Sequence, residues 1–108
     1  MMRLVAIVAV ATCVLLAAVG AASAETSPTA TDIAAGRALS DRDCVACHRQ
    51  KFGTPEAIYL RPDRKVKSLA ALRLQVARCN VELATQYFPD EEEQVTAYLN
   101  ATHYRFTQ

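Results

Sequence analysis

The sequence predicts a small all-α domain that follows an apolar N-terminal segment. Apolar residues recur at three- and four-residue spacing over residues 69–87, which is typical of one face of a helix. Residues 31–39 and 90–100 begin with helix-capping side chains, and no segment shows the alternation of a strand between hairpin turns. A chain of 108 residues accommodates one such domain. Its core is small, so we expect a disulfide, metal or cofactor to supplement packing.

The apolar segment occupies residues 1–24. Arg3 is its one charged residue, an apolar run begins at Leu4, and small residues close it at Ala22-Ser23-Ala24. This order is typical of a secretory signal peptide cleaved after Ala24, which leaves residues 25–108 as the domain. An uncleaved membrane anchor is the alternative. Export predicts a periplasmic location, and contact with a membrane is expected only if the segment is not cleaved.

The first predicted helix follows a short flexible leader at residues 25–30. Thr31 or Asp32 is expected to cap it, and the helical pattern runs to Leu39. Gly36 falls inside this helix, where glycine costs about 1 kcal/mol relative to alanine. We therefore expect another element to pack closely at Gly36.

Residues 49–67 show no regular period. Gly53-Thr54-Pro55 and Arg61-Pro62-Asp63 are turn signals, so the segment is predicted to be a long ordered loop with one turn of helix. A loop of this length in a small domain usually wraps a functional group.

A long amphipathic helix is predicted to begin at Ser68. Arg78 and Glu82 fall on its polar side, and Pro89 ends the pattern. Its apolar stripe consists of Leu69, Leu72, Val76, Cys79, Leu83 and Tyr87.

The last predicted helix begins with the acidic run Asp90-Glu91-Glu92-Glu93. This run predicts a capping box, and the helix dipole favours acids in a first turn. The helix is expected to present Val95, Tyr98 and Leu99 on one face and to end near Asn100.

Charge is balanced overall but unevenly placed. Residues 61–78 hold six basic side chains opposed only by Asp63, and residues 82–93 hold five acids and no base. The two stretches are either solvated helix faces or a dipolar surface that orients a charged partner. The balance disfavours nucleic-acid binding. The aromatic residues near the C-terminus are interleaved with a base only at Arg105 and are expected to pack in the core and tail. They are Tyr87, Phe88, Tyr98, Tyr104 and Phe106.

Cys44-Val45-Ala46-Cys47-His48 is a C-x-x-C-H motif, the signature of c-type haem attachment. On a helix these three side chains lie at positions i, i+3 and i+4, and therefore on one face. The two thiols can form thioethers with the two vinyl groups of a porphyrin, which brings the imidazole of His48 beneath the iron as its proximal ligand.

Three other interpretations of the motif stay open. A structural zinc site needs a second ligand pair, and Cys79 and His103 lie 24 residues apart. A thioredoxin-like redox pair needs a βαβ context, which the sequence does not predict. A disulfide between Cys44 and Cys47 within a helix has poor geometry.

The order of helix, C-x-x-C-H, irregular loop, helix and capped terminal helix resembles the small class I cytochromes c. The resemblance extends over residues 25–108 and is most specific at residues 44–48. It implies one covalent haem c in a helical shell with one exposed edge, and single-electron transfer between redox proteins rather than an enzyme activity. It also implies that Gly36 packs against an aromatic residue of the last helix, a role that Tyr98 fits.

The sixth iron ligand of that family is usually methionine, but the only methionines here are Met1 and Met2. Cys79 is the first candidate, because it lies on the apolar stripe and is the odd cysteine of an exported chain. The resemblance supports it, since cytochromes of thiosulfate oxidation use a cysteine on a helix after the motif. An open site and His103 are the next candidates. The loop lysines Lys51, Lys65 and Lys67 come last.

Two further functions are considered for an open or cysteine-ligated iron. Arg78-Cys79-Asn80 resembles a run in small ligand-binding cytochromes c, although arginine cannot coordinate iron and the second cysteine of that family is replaced by Tyr87 and Phe88. The alternatives to a carrier are therefore a small-ligand-binding haem protein and a haem subunit of a sulfur-oxidising system that uses Cys79. Two further points stay open. One is whether the redox partner has an acidic docking surface, and the other is whether Cys79 forms an intermolecular disulfide.

Overall fold

A computed structural model describes Gly20 and residues 26–107 of the chain. The predicted signal peptide, apart from Gly20, lies outside the described residues. The described part is helical and holds no strand, which confirms the all-α prediction. None of its helices combines the length and apolar character needed to cross a membrane. The helices are α1 (Ala30–Asp43), α2 (Val45–Phe52), α3 (Ala57–Leu60), α4 (Leu69–Leu83) and α5 (Pro89–Leu99), followed by a π-helical turn (Asn100–Tyr104).

Helix α1 begins two or three residues earlier than predicted. Thr29 is its N-cap: the Thr29 Oγ1 accepts a hydrogen bond from the Asp32 N–H at 3.1 Å, and the Asp32 carboxylate accepts one from the Thr29 N–H at 2.8 Å. The prediction of a cap at Thr31 or Asp32 was wrong, because Asp32 is the third helical residue of a capping box. The extended leader accordingly ends at Thr29.

Gly36 lets α1 approach the backbone of α5. A Cβ atom at Gly36 would lie 1.8 Å from the carbonyl oxygen of Gln94 and 2.9 Å from the nitrogen of Val95. The predicted close packing is therefore confirmed. The atoms nearest to Gly36 belong to the backbone about one turn before Tyr98, not to the aromatic ring that the resemblance implied.

The segment 49–67 is more helical than predicted. Helix α2 continues through Phe52 and ends at Gly53, whose φ of 86° is accessible to glycine at little cost. The one helical turn expected in this segment is α3. The prediction of an irregular chain from Arg49 to Phe52 was wrong, because this polar stretch continues the helix that carries the motif.

Helix α4 begins at the predicted place, since the Ser68 Oγ accepts a hydrogen bond from the Ala71 N–H at 3.1 Å. Leu72 and Val76 of the predicted stripe are buried, whereas Arg78 and Glu82 are exposed as expected. The predicted stripe extended too far, because α4 ends at Leu83, which is 48% exposed, and Tyr87 lies beyond the helix. The buried apolar cluster comprises Tyr59, Leu72, Val76, Val95, Leu99 and Tyr104.

Helix α5 begins with Pro89 at its first position, and Phe88 precedes it as the N-cap residue. The Phe88 N–H donates to the carboxylate of Glu91 at 2.9 Å, so one half of a capping box is present. The acids Asp90, Glu91 and Glu92 occupy the first turn as predicted. The helix ends at Leu99, one residue before the predicted end, and the chain then widens into the π-helical turn.

The C-terminal tail is held against this turn by the buried side chain of Asn100. Its amide nitrogen donates to the Phe106 carbonyl at 3.1 Å, and its amide oxygen accepts from the Phe106 N–H at 2.8 Å. This pairing fixes the turn that carries His103 and Tyr104.

Candidate functional site

One apolar-walled cavity has a volume of about 380 Å³. Its walls come from α2, which carries the motif, from α3 and the segment that follows it, from α4 and α5, and from the π-helical turn. Its volume falls within the range of about 300–1,000 Å³ that is usual for cofactor and small-molecule sites. Its aliphatic wall includes Ile58, Val66, Leu72, Val76, Val95 and Leu99.

The motif lies at one wall of this cavity. Cys44 occupies the junction of α1 and α2, and the His48 N–H donates to the Cys44 carbonyl at 3.1 Å in a helical turn. This spacing brings Cys44 and His48 together, and both line the cavity. Cys47 is half-buried on the same helix but is not among the lining residues.

The imidazole of His48 is half-buried and held by aromatic neighbours. Its Nδ1 lies 2.8 Å from the hydroxyl oxygen of Tyr59, and the Phe52 ring contacts it edge-on at 5.9 Å between centroids. Burial lowers the pKa of His48, and the charge of Lys51 lowers it further, while the backbone carbonyl of Pro55 acts in the opposite direction. The neutral imidazole, which is the metal-binding form, is therefore favoured.

The thiol of Cys44 is protected from ionisation. Burial raises the pKa of Cys44, and negative charge at Cys79 and Asp43 raises it further. Hydrogen bonds from Ser40 and Tyr87 offset part of this rise. The electrostatic influence of Cys79 on Cys44 fits their position on the same cavity.

Cys79, the first candidate for the sixth ligand, is half-buried on α4 and lines the cavity. Its sulfur accepts a hydrogen bond from the Gln75 amide at 3.2 Å. The structure thus brings together Cys44, His48 and Cys79, three of the residues that the sequence singled out.

The other candidates are placed differently. His103 does not line the cavity, because its ring stacks on Tyr59 with 4.9 Å between centroids. Of the lysines, Lys65 is among the lining residues, while Lys51 and Lys67 are not.

Tyr59 is a site residue that the sequence did not single out. It is 8% exposed, it lines the cavity, and burial raises the pKa of its hydroxyl far above the usual value. It was missed because it lies in a segment without period. The apolar residues Ile58 and Tyr59 were a local signal that part of this segment is buried, although the neighbouring Leu60 is 61% exposed.

Basic side chains line the outer part of the cavity. Arg61 and Lys65 are exposed there, and Arg61 pairs with Asp63 at 2.8 Å. The Arg64 guanidinium lies over the Tyr104 ring at 4.9 Å from its centroid. These residues form the part of the predicted basic stretch that borders the cavity.

The donor set fits a haem held by the motif. The Cys44 thiol and the neutral imidazole of His48 lie one turn apart at the cavity, and α4 and α5 supply its aliphatic wall. The Cys47 thiol lies on the same helix, outside the cavity lining. Among residues 26–107, no group of three or more histidine, cysteine or acidic side chains is arranged to hold a metal ion by itself. Cys44, Cys47 and Cys79 form no disulfide with one another.

Comparison of the chain with protein-family models, with curated proteins and with solved structures finds no match. The functional argument therefore depends on the residues of this chain and their geometry.

Proposed function

We propose that this chain is a monohaem c-type cytochrome of the periplasm that transfers single electrons between redox proteins. The observation that carries the proposal is the position of a C-x-x-C-H motif at an aliphatic cavity, with Cys44 and His48 both lining it. The motif alone predicts attachment, and the cavity gives the attached group an aliphatic surface to pack against.

Each motif residue has a defined task. The thiols of Cys44 and Cys47 hold the haem through thioether bonds, and His48 is the proximal iron ligand. The haem supplies a one-electron couple when bound. Leu72 and Val76 of α4 keep water from the site, which lowers the local dielectric and thereby influences the reduction potential.

The sixth iron ligand, opposite His48, determines whether the reduction potential is high or low. No methionine lies beyond Met2, so the neutral thioether that raises the potential of related carriers is missing. We propose Cys79 as the sixth ligand, since it lines the same cavity as His48. A thiolate there favours ferric iron and makes the protein a low-potential carrier.

The partner is expected to be a redox protein with an acidic docking surface. Arg61 and Lys65 are exposed beside the cavity, where they can steer such a partner toward it. Signal-peptide cleavage after Ala24 delivers the carrier to the periplasm.

Covalent haem attachment tests the proposal directly. The full chain is expressed with a haem maturation system, and haem that stays with the denatured polypeptide is quantified by its absorption. Wild type and Cys79→Ala are expected to retain one haem per chain, whereas the Cys44→Ala/Cys47→Ala double variant is expected to retain none. Absence of covalent haem in the wild type would overturn the proposal and favour a zinc site.

A second candidate function is small-ligand binding or sulfur chemistry at the haem. The position of Cys79 in the cavity wall, with its sulfur hydrogen-bonded to Gln75, favours it. Electron paramagnetic resonance of the ferric protein separates small-ligand binding from electron transfer and sulfur chemistry. A low-spin thiolate signal that Cys79→Ala abolishes supports a carrier or a sulfur-cycle subunit. A high-spin signal with rapid carbon monoxide binding after reduction supports ligand binding instead.

A further inference from the structure

We propose that Tyr59 is the positioning residue of His48: its hydroxyl oxygen accepts the hydrogen bond of the His48 Nδ1–H and leaves Nε2 as the nitrogen available to iron. The inference rests on the proposed haem function and deepens it. The distance of 2.8 Å between the Tyr59 hydroxyl and His48 Nδ1 carries it. An imidazole whose Nδ1 is engaged in this way can coordinate a metal only through its other nitrogen.

The geometry of Tyr59 is itself fixed by contacts on several sides. Its ring stacks on His103 at 4.9 Å between centroids, and Tyr104 lies tilted against it at 5.7 Å. Its backbone carbonyl accepts a hydrogen bond from the Arg64 guanidinium at 2.8 Å. A side chain held in this way, and only 8% exposed, orients its hydroxyl with little freedom to rotate away.

The direction of the hydrogen bond follows from the coordination. Iron on Nε2 requires the imidazole proton to lie on Nδ1, so His48 is the donor and the Tyr59 oxygen is the acceptor. A phenol carries both a proton and acceptor lone pairs, and its own proton then points elsewhere. Accepting the Nδ1 proton makes the imidazole a stronger electron donor, which favours ferric iron.

The backbone of Pro55 is the one neighbour that acts to raise the pKa of His48, so its carbonyl is the alternative acceptor that the test must distinguish from Tyr59. The two acceptors make different predictions for Tyr59→Phe. If Tyr59 holds the proton, removal of its hydroxyl leaves the Nδ1–H without that acceptor and raises the reduction potential. If the Pro55 carbonyl holds it, the same substitution changes nothing at His48.

The test compares haem-loaded mature wild type, Tyr59→Phe and Tyr98→Phe. Tyr98 is the matched control, because it is a half-buried tyrosine that packs edge-on against His103 at 6.1 Å and does not line the cavity. Phenylalanine keeps the ring packing at both positions. The reduction potential is measured by potentiometric titration. The His48 Nδ1–H proton resonance is measured in the reduced protein with carbon monoxide bound, in which iron is diamagnetic.

Tyr59→Phe is expected to raise the ratio of ferrous to ferric protein at a fixed potential by about threefold. This corresponds to about 28 mV, since a tenfold change in a one-electron couple is about 59 mV. The Nδ1–H resonance is expected to move in the same variant, and Tyr98→Phe is expected to match the wild type in both measurements. Haem-loaded Tyr59→Phe with an unchanged potential and resonance would overturn this inference and leave the proposed function intact. A wild type that attaches no haem would overturn both.

Discussion

Substitution of Gly36 by alanine tests how closely α1 and α5 pack. The added Cβ would lie 1.8 Å from the Gln94 carbonyl oxygen and 2.4 Å from its carbon, whereas ordinary contact begins at 3.4 Å. Both atoms belong to the backbone, so no side-chain rotation relieves the clash. One helix must therefore move by about 1.6 Å, the difference between the closest approach and ordinary contact.

The expected cost follows from two opposing effects. Overpacking costs about 3 kcal/mol at the upper end of its usual range, and we take that end because rigid backbone is displaced. Alanine recovers about 1 kcal/mol through its higher helix propensity. The net loss is about 2 kcal/mol, which corresponds to a fall in Tm of about 10 °C for a domain of this size.

Thermal unfolding of the haem-loaded protein, followed by circular dichroism at the helix band, measures this loss. Ala38→Ser is the control, because Ala38 is exposed on the same helix and such surface changes stay within about 0.5 kcal/mol. A Gly36→Ala protein as stable as the wild type, beside an unchanged control, would refute the close packing of α1 on α5.

Three further predictions concern the helix ends and the loop before α5. Ala84 has a left-handed φ of 50°. Ala84→Gly is expected to raise the free energy of unfolding by about 0.5 kcal/mol, because relief of about 1–2 kcal/mol of strain exceeds the entropy cost of glycine. An unchanged or lower free energy of unfolding in urea would contradict this. The Asn80 side chain makes four hydrogen bonds, between 2.7 and 3.1 Å, to Thr85, Tyr87 and Glu92. Asn80→Ala should therefore cost about 2 kcal/mol in the same assay, and a loss below that of the Ala38→Ser control would count against the network. Hydrogen bonds with Thr29 lower the pKa of Asp32 in the folded protein. The carboxylate therefore contributes fully to stability at a pH above its unfolded-state pKa of 3.8, and this contribution is lost as the pH falls through the lower folded-state pKa. The stability difference between wild type and Asp32→Ala should close in acid, and a difference independent of pH would exclude the carboxylate as its source.

Local signals in the sequence were sufficient for the start of α4 and for part of the site, whereas the predicted pattern ran past Leu83, where the helix ends. Ser68 is a capping residue directly before a helical pattern, and both the cap and the helix start are where that pattern predicts them. The apolar stripe also predicted the position of Cys79, because Cys79 follows buried Val76 by three positions and buried Leu72 by seven, which places it on the same helix face. Together with the motif spacing, it anticipated that Cys79 and His48 share one cavity.

Tertiary contacts decide the features that the sequence did not predict. At the start of α1, Thr29 and Asp32 exchange two hydrogen bonds, and the sequence alone does not determine which polar residue of a cluster is the cap. The end of α5 passes into a π-helical turn because buried Asn100 pairs with the backbone of Phe106, six residues away. No pattern of apolar residues encodes that pairing.

The two segments that the sequence described least well meet at one side chain. Tyr59 comes from the segment without period, while His103 and Tyr104 come from the turn after the last predicted helix. Their packing places the Tyr59 hydroxyl at His48, in the motif that the sequence identified most clearly. Failure of local prediction is expected at positions where a functional site, rather than local propensity, determines the conformation. Tyr59 belongs to α3 and packs against His103 and Tyr104 of the π-helical turn, so substitutions in either segment should act on His48, the proposed iron ligand, through Tyr59.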